Sequence, residues 1–225
     1  MSARPSGPLD LSHPIESGMT TYPGLPAPLV AEHLTREASR ERYAAGTTFS
    51  IGRIEMVANT GTYIDAPFHR FEGGADIAGL SLDRVAGVAG LLVDARGKGR
   101  SLGPEIFDKA AVEDRAVLIW TGWDIHWRTP EYGSGTHPFL TREAAAHLAA
   151  SRARLVGIDS LNIDDTADQT RPAHTLLLDA GIPIVEHLTN LASLGFGSPP
   201  FRFFAVPAPV RAIGSFPVRA FALPA

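Results

Sequence analysis

Apolar runs of strand length recur along this chain and predict a molecule built mainly from strands. Residues 116–121 and 154–158 are almost continuous apolar runs, which are typical of strands covered on both faces. Residues 87–95 begin at a glycine and form a longer run, and residues 183–186 form a shorter one. Further strands are predicted at 9–15, 29–34, 49–57, 201–206 and 216–223.

Helical patterns are fewer and shorter. Residues 141–152 carry the clearest one: Thr141 can cap the N-terminus, and one side carries Ala144, Ala145, Leu148 and Ala149. Short helices are predicted at 104–111 and 174–180, and a helical turn at 189–194. Many strands with few helices favour an α/β or α+β protein with a mixed sheet.

Length and composition are those of an ordinary globular protein. No linker divides the 225 residues, so residues 1–225 are expected to form one domain, with residues 1–8 as a loose arm. The net charge of −4 gives no reason to expect nucleic acid or an anionic membrane as a partner. The absence of cysteine excludes disulfides and thiol catalysis. Neither a membrane span nor an apolar signal region is visible, so a cytoplasmic location is expected.

The segment 59–69 concentrates polar side chains directly after the predicted strand 49–57. If it stays extended, alternate residues share one face, and that face carries Asn59, Gly61, Tyr63 and Asp65. Pro67 then fixes a turn before His69. An amide, a phenol, a carboxylate and an imidazole so close together predict a polar site. The alternatives are a turn-forming role for Asp65 and a structural role for His69.

This segment resembles the signature of the cyclase family of amide and lactone hydrolases, which includes bacterial kynurenine formamidases and isatin hydrolases. That signature reads His-x-Gly-Thr-His-x-Asp-x-Pro-x-His. The chain keeps Gly61, Thr62, Asp65, Pro67 and His69 in register. Asn59 and Tyr63 stand where the family has its two metal-binding histidines. Other matching segments follow in the family's order: 10–15, 22–24, 121–123, 157–160, 174 and 184–186.

The resemblance implies a swivelling β/β/α fold, an open mixed β-barrel with peripheral helices. It implies hydrolysis of an amide, formamide or lactone in a small molecule, with His69 as general acid–base and Asp65 as a bridging carboxylate. By the same resemblance, His174 and Glu186 match ligands of a second metal site. A homodimer or homotetramer is implied as well.

The two substitutions change the metal chemistry that the family pattern implies. Asn59 offers a weak carbonyl ligand, and Tyr63 must ionise from a pKa near 10 before it binds a cation well. We therefore expect either no metal or one divalent ion, zinc or manganese, on Asp65, His174 and Glu186. Glu186 ends an apolar run, so its carboxylate needs a partner in any case.

Without a metal, His69 and Asp65 would act as an acid–base pair and Tyr63 would donate to the oxyanion, which makes these three the expected catalytic residues. Asn59, Phe68 and Trp123 are the expected substrate-binding residues, although aromatic side chains of this kind serve equally often as core. Two other classes stay open: a metal-independent cyclase, lyase or isomerase, and a non-catalytic small-molecule binder. No phosphate-binding glycine motif occurs, so a nucleotide cofactor is not expected.

Overall fold

A nine-stranded mixed sheet organises the protein in its computed structural model, which describes residues 7–107, 111–195 and 200–224. The strands within these ranges are β1 Leu9–Asp10, β2 Leu29–Leu34, β3 Ile51–Glu55, β4 Tyr63–Asp65, β5 Ala86–Asp94, β6 Ser101–Leu102, β7 Ala116–Trp120, β8 Phe139–Leu140, β9 Leu155–Ile158, β10 Ile184–Glu186, β11 Phe201–Phe204, β12 Ser215–Pro217 and β13 Phe221–Pro224. The α-helices are α1 Arg36–Ser39, α2 Leu82–Val85, α3 Arg142–Ala150 and α4 Pro172–Asp179.

The sheet runs from one open edge to the other in the order β1-β13-β11-β5-β7-β9-β10-β4-β12. Its centre is parallel, because β5 pairs with β7, β7 with β9 and β9 with β10 in that sense. The flanking pairs, such as β10 with β4 and β4 with β12, are antiparallel. The predicted fold class, an α/β protein with an open mixed β-barrel and peripheral helices, is confirmed.

The central strand β7 is apolar throughout because both of its faces are covered. Leu118 and Trp120 join an apolar cluster on one face of the sheet. Val117 and Ile119 join a second cluster on the other face, to which α3 and α4 contribute. Because side chains alternate along a strand, every residue of a strand that is covered on both faces points into an apolar layer.

The predicted strand 216–223 is wrong as a single element. It divides into β12, an edge strand beside β4, and β13, which pairs with β11 near the opposite edge. Pro217 ends β12 and has no backbone N–H to donate, which suits it to an edge strand. This division matters for function, since it brings Ser215 beside the segment 59–69.

The predicted strand 49–57 is shorter than expected and lies outside the main sheet. Its core is β3, which pairs only with β2, in a separate two-stranded sheet. Every residue of β3 is exposed. The strand ends before the segment 59–69 and does not continue into β4.

Three other predicted elements differ from the structure in extent. The strand at 9–15 is reduced to β1 and an isolated bridge from Ser12 to Leu188. The helix predicted at 104–111 is a 3-10 turn, Pro104–Phe107, while residues 108–110 lie outside the described residues, as do residues 1–6 of the predicted arm. Among the residues described, no helix is long and apolar enough to cross a membrane.

Candidate active site

The register of three adjacent strands assembles the centre of the site. Glu186 of β10 pairs with Tyr63 of β4, and Ser215 of β12 pairs with Asp65 of β4. Directly paired residues present their side chains on the same face of a sheet. Tyr63 and Asp65 are two positions apart, so they share that face as well. The four side chains thus meet in one place although they come from three distant parts of the sequence.

The segment before β4 turns instead of staying extended. Gly61 has φ of +67°, a left-handed conformation that residues with a side chain rarely adopt. A Cβ atom on Gly61 would also lie 3.0 Å from Cγ1 of Ile15. Gly61 is therefore required by backbone shape and by Ile15, and the expectation that Asn59 and Gly61 extend the β4 face is wrong.

Ser215 links Asp65 to His69. Its hydroxyl donates to Oδ1 of Asp65, and its Oγ lies 2.9 Å from Nδ1 of His69. A hydroxyl has one proton to donate, so Nδ1 of His69 must carry the proton of the second bond. Nε2 of His69 is then the unprotonated nitrogen of the neutral ring. Nδ2 of Asn59 donates to the same Oγ at 3.3 Å.

Gly214 allows this close approach. A Cβ atom at Gly214 would lie 2.3 Å from Cα of His69, so any other residue would push the turn Pro67–His69 away from β12. Sequence reasoning missed Ser215 entirely. A serine after a glycine near the end of the chain carries no signal that connects it with a motif about 150 residues earlier, as the Ser215–Asp65 bond does.

Asp164 is the second functional candidate that sequence reasoning missed. Its carboxylate accepts the backbone N–H groups of Ala173 at 2.6 Å and His174 at 3.0 Å, at the start of α4. It also accepts Nδ1 of His174 at 2.6 Å. Since an ionised carboxylate only accepts, Nδ1 of His174 carries a proton, and Nε2 is the atom turned towards Asp65 and Glu186.

We call Asp65, His69, Asp164, His174 and Glu186 the carboxylate–histidine cluster. Nε2 of His174 lies 3.6 Å from Oδ2 of Asp65 and 3.7 Å from Oε1 of Glu186. Nδ1 of His69 lies 3.8 Å from Oδ1 of Asp65. The structure thus brings Asp65 and His69 together with His174 and Glu186, which follow over a hundred residues later in the sequence.

Burial and charge act against each other on the pKa values of this cluster. Burial alone would lower the pKa of His174, but the hydrogen bond to Asp164 and the nearby carboxylates of Asp65 and Glu186 raise it to about 10. Burial raises the pKa of Glu186. For Asp65 the burial penalty is outweighed by the charges of His69 and His174, so its pKa is lowered.

Tyr63 is held as a neutral phenol. Its hydroxyl donates to Oε2 of Glu186 at 2.5 Å, and burial together with the charges of Glu186 and Asp65 raises its pKa well above the ordinary value. The second oxygen of Glu186 accepts the N–H of Ile163 at 2.7 Å. Both oxygens of Glu186 therefore have protein donors.

The residues present fit a single divalent ion. Ligand atoms of Asp65, His69 and His174 lie within 4.8 Å of one another. Oδ2 of Asp65 is buried and has no hydrogen-bond partner among the described residues, which is the state expected of a carboxylate oxygen that binds a cation. A carboxylate with two imidazoles suits zinc or manganese. This group contains His69, whereas the ligand set expected from the sequence contained Glu186.

A cavity of about 320 Å³ opens onto the cluster. Its lining residues are Tyr22, Leu25, Asn59, Tyr63, His69, Arg70, Asn162, Arg171, His174 and Glu186. Asn59 is thus at the cavity, as expected for a substrate-binding residue. Phe68 and Trp123 are not among the residues that line it. The indole N–H of Trp123 donates to the carbonyl of Tyr132, and its ring packs against His126, 4.7 Å away between ring centroids.

A second group, which we call the aromatic–histidine cluster, combines the buried Tyr132 and His187 with the half-buried His13 and Trp127. His13 stacks on Trp127 with ring centroids 3.9 Å apart, and the hydroxyl of Tyr132 lies 2.7 Å from Nδ1 of His187. Burial lowers the pKa of His13 to about 4 and that of His187 to about 3. The ring of Tyr63 lies between the clusters, 5.2 Å from the ring of His187.

Comparisons with known proteins find relatives along most of the chain. Residues 9–165 match the Cyclase family model. A kynurenine formamidase of Bacillus cytotoxicus is 28% identical over 221 residues, 96% of this chain and 97% of that protein. One from Erythrobacter litoralis is 29% identical over 182 residues, 80% of this chain and 77% of that protein.

Solved structures give the same picture of the fold. A potential metal-dependent hydrolase with cyclase activity has a TM-score of 0.77 and 26% identity, covering 96% of each chain. Isatin hydrolase A from Labrenzia aggregata has a TM-score of 0.79 at 23% identity, covering 96% of this chain and 92% of that one, and is similar in fold.

Proposed function

The chain belongs to the cyclase family, and from this premise we propose that it hydrolyses a C–N amide bond of a small molecule. The observation that carries the proposal is the connected set Asp65–Ser215–His69 beside the cavity. It leaves Nε2 of His69 free to take a proton. The names of the relatives, kynurenine formamidases, support an amide or formamide as substrate.

In this proposal His69 moves the protons of the reaction. Nε2 accepts a proton from the attacking water, and the imidazolium then donates it to the leaving nitrogen. The charge that forms on His69 is stabilised by Asp65, 3.8 Å from its Nδ1, and by the intervening Ser215. A positioned imidazole is suited to both transfers because its unperturbed pKa lies near neutrality.

Side-chain amides at the cavity can stabilise the oxyanion of the tetrahedral intermediate. Asn59 and Asn162 line the cavity, and their contacts with Ser215 and Glu186 are long, at 3.3 and 3.5 Å. The single proton of the Tyr63 hydroxyl is already given to Glu186. We therefore assign Tyr63 the role of holding Glu186, and its direct donation to the oxyanion would require that bond to break.

A single divalent ion is the largest metal content that we propose, held by Asp65, His174 and Glu186, which leaves Nε2 of His69 free for proton transfer. Such an ion would polarise the carbonyl and lower the pKa of bound water. Elemental analysis of protein purified without chelator or metal-affinity resin tests the number: we expect between zero and one ion per chain. Two tightly bound ions would contradict the proposal.

A matched variant sharpens the metal test. Replacing Asn59→His and Tyr63→His together adds two imidazoles where the present residues are poor ligands. Metal content should rise above that of the wild type. The pair Asn59→Gln and Tyr63→Phe is the control, since it alters the same positions without adding a ligand.

A metal-independent version of the reaction is the second candidate. The observation that favours it is the position of His174, whose Nε2 faces Asp65 and Glu186 within 3.7 Å. An imidazolium there supplies the positive charge that a cation would otherwise supply. Turnover of a formanilide panel and a lactone panel, with and without chelator, separates the versions. Loss of all turnover in chelator would eliminate the metal-independent one, and no turnover in either condition would favour a binding protein.

We also propose that the chain assembles as a homo-oligomer through the β2–β3 hairpin. A free two-stranded hairpin is marginally stable in water, yet Ile51 and Ile54 are 50% and 60% exposed here. Residues 29–55 carry four glutamates and four arginines, a balance that suits contact with a second copy. Light scattering should give a dimer or tetramer that Ile54→Glu dissociates. Leu82→Glu, exposed elsewhere, is the control, and a monomeric wild type would refute the assembly.

A further inference from the structure

His187 directly follows Glu186, the last residue of β10, and takes no part in the proposed proton transfers. Its φ of +57° is left-handed, a conformation uncommon for residues other than glycine. The residue is also fully buried. Unfavourable backbone of this kind persists where the surrounding structure requires it, and it is frequent beside active sites. The conformation of His187 therefore points to a role connected with the neighbouring carboxylate.

The left-handed backbone lets two consecutive residues reach one tyrosine. In an extended strand, consecutive side chains point to opposite faces of the sheet. Glu186 and His187 nevertheless both contact Tyr63. Oε2 of Glu186 accepts the Tyr63 hydroxyl at 2.5 Å, and the ring of His187 lies 5.2 Å from the ring of Tyr63 between centroids. Tyr63 is thus held at its hydroxyl by one residue and at its ring by the next.

Hydrogen bonds on both sides of His187 maintain its backbone conformation. Oγ1 of Thr62 donates to the carbonyl of His187 at 2.6 Å and accepts the N–H of His13 at 3.0 Å. The N–H of Leu188 donates to the carbonyl of Ile158, also at 3.0 Å. Because these bonds join three separate parts of the chain, the conformation of His187 is a product of the tertiary structure.

The imidazole of His187 is fixed by two further aromatic side chains. Its Nδ1 lies 2.7 Å from the hydroxyl of Tyr132, which is itself buried. Its ring lies 5.7 Å from the ring of Trp127 between centroids, at an interplanar angle of 69°. Edge-to-face contacts of this kind are favourable for aromatic rings. The ring of His187 is therefore a fixed surface against which Tyr63 packs.

Two carboxylates compete for the Tyr63 hydroxyl. Tyr63 and Asp65 share a face of β4, and the charges of both Glu186 and Asp65 act on the phenol. Oδ2 of Asp65 is buried and has no hydrogen-bond partner among the described residues. A buried acceptor without a partner attracts any donor within reach. The position of the Tyr63 ring therefore decides which carboxylate receives its single proton.

We propose that His187 is a positioning residue, whose ring holds Tyr63 so that the phenol donates to Glu186 and leaves Oδ2 of Asp65 available. This inference rests on the proposed function for the reaction that benefits. His187 acts through Tyr63 and touches no reacting atom. With the phenol in place, Oε1 of Glu186 and Oδ2 of Asp65 both face Nε2 of His174, at 3.7 and 3.6 Å.

His187→Asn is the first test, because asparagine tolerates left-handed backbone and removes the ring. We expect kcat for a formanilide to fall about tenfold, as is typical when a group that positions active-site residues is lost. His187→Phe keeps a ring without the nitrogens and should recover most of this loss. His13→Asn is the matched control: it removes an imidazole that stacks on Trp127 instead, and should keep kcat.

A double-mutant cycle with Tyr63→Phe separates positioning from simple packing, since phenylalanine keeps the ring and loses only the hydroxyl. If His187 acts through that hydroxyl, His187→Asn should lower kcat about tenfold in the wild type but less than about twofold in Tyr63→Phe. Additive losses would overturn the inference, as would a wild-type kcat in folded His187→Asn. If His187→Asn does not fold, His187→Gly takes its place in the cycle, because glycine adopts left-handed backbone most readily.

A cycle measured by chemical denaturation needs no substrate and separates this inference from the proposed function. Tyr63→Phe should destabilise the wild type, because Oε2 of Glu186 loses its donor. In His187→Asn the phenol is no longer held on Glu186, so the same substitution should cost roughly half as much or less. If the wild type hydrolyses no amide, the proposed function fails while this measurement still tests His187. Equal losses of stability in the two backgrounds would refute the positioning role.

Discussion

The two clusters on either side of Tyr63 each hold one buried imidazole, and the pKa values of these two histidines are shifted in opposite directions. His174 and His187 are 6% and 0% exposed, so burial alone would keep both neutral. The pKa of His174 is nevertheless raised to about 10, whereas that of His187 is lowered to about 3. Histidine burial in this protein therefore says nothing by itself about charge.

The groups around each imidazole decide whether its pKa is raised or lowered. His174 has a carboxylate at Nδ1 and two more facing Nε2. His187 has the phenol of Tyr132 at Nδ1, and its Nε2 has no hydrogen-bond partner among the described residues. A low-dielectric interior strengthens both the attraction between an imidazolium and a carboxylate and the desolvation penalty of the imidazolium. The presence or absence of carboxylates therefore sets the direction of the pKa shift. One cluster can accordingly move protons, while the other is a neutral support.

The largest loss of activity should come from replacing His69, the proposed general base. His69→Ala removes the nitrogen that exchanges protons with substrate, and general acid–base catalysis typically contributes about 10²- to 10⁴-fold. We expect kcat to fall by that factor with an unchanged unfolding midpoint. His13→Ala, in the aromatic–histidine cluster, should lower stability and keep the activity of the folded protein. Activity of His69→Ala within a few-fold of the wild type would remove His69 from the mechanism.

A smaller effect is expected from Asp164→Asn, which keeps an acceptor for Nδ1 of His174 but removes its charge. Partners that position a histidine in this way typically contribute about 10- to 100-fold to activity, so we expect kcat of Asp164→Asn to fall by that factor. Because the folded pKa of His174 lies above its unfolded value near 6.5, its stabilising contribution is full below that pH and is lost as pH rises towards about 10.

The Asp164→Asn substitution should therefore move this alkaline loss of stability to lower pH. Thermal unfolding of chelator-treated protein between pH 6 and 10.5 measures the shift. Asp165→Asn, at the neighbouring surface carboxylate, is the control. Identical alkaline profiles for the wild type and Asp164→Asn would mean that Asp164 does not set the charge of His174.

Tyr63→Phe tests the boundary between the clusters. It keeps the ring near His187 but leaves Oε2 of Glu186 without its donor at 2.5 Å. A buried acceptor left unsatisfied costs about 1–3 kcal/mol. Chemical denaturation should show a loss of this size. Tyr132→Phe, which leaves only a neutral imidazole without its partner, should cost less, and the reverse order would contradict the charge assignment.

The smallest effect is expected on the stability of the protein in acid when His13, in the aromatic–histidine cluster, is replaced. The folded pKa of His13, about 4, lies below its unfolded value near 6.5, so its contribution is present above pH ~6.5 and is lost as pH falls towards 4. His13→Gln should flatten the fall of the unfolding midpoint between pH 6.5 and 4.5. His33→Gln, at an exposed histidine, should leave it unchanged, and equal slopes for all three proteins would show that His13 is not buried neutral.

Sequence reasoning found the residues whose relation to one another is local. Tyr63, Asp65 and His69 are within one short motif. His174 and Glu186 are found by their match to the order of segments in the cyclase family. It did not find Ser215 or Asp164, whose bonds to Asp65 and His174 depend on chain paths that no local pattern encodes. Nor could it show that β3 pairs only with β2 and lies outside the main sheet, because strand character does not reveal which strand is the neighbour.

The sequence by itself determined that the central segments β5, β7, β9 and β10 become strands, since continuous apolar residues follow from burial on both faces. It also determined that Tyr63 and Asp65 share a face. Only the tertiary structure decided that β10 and β12 flank β4 in the register that sets Glu186 against Tyr63 and Ser215 against Asp65. The charges of the histidines were likewise decided there, because a pKa depends on the carboxylates and the water that folding brings near or excludes.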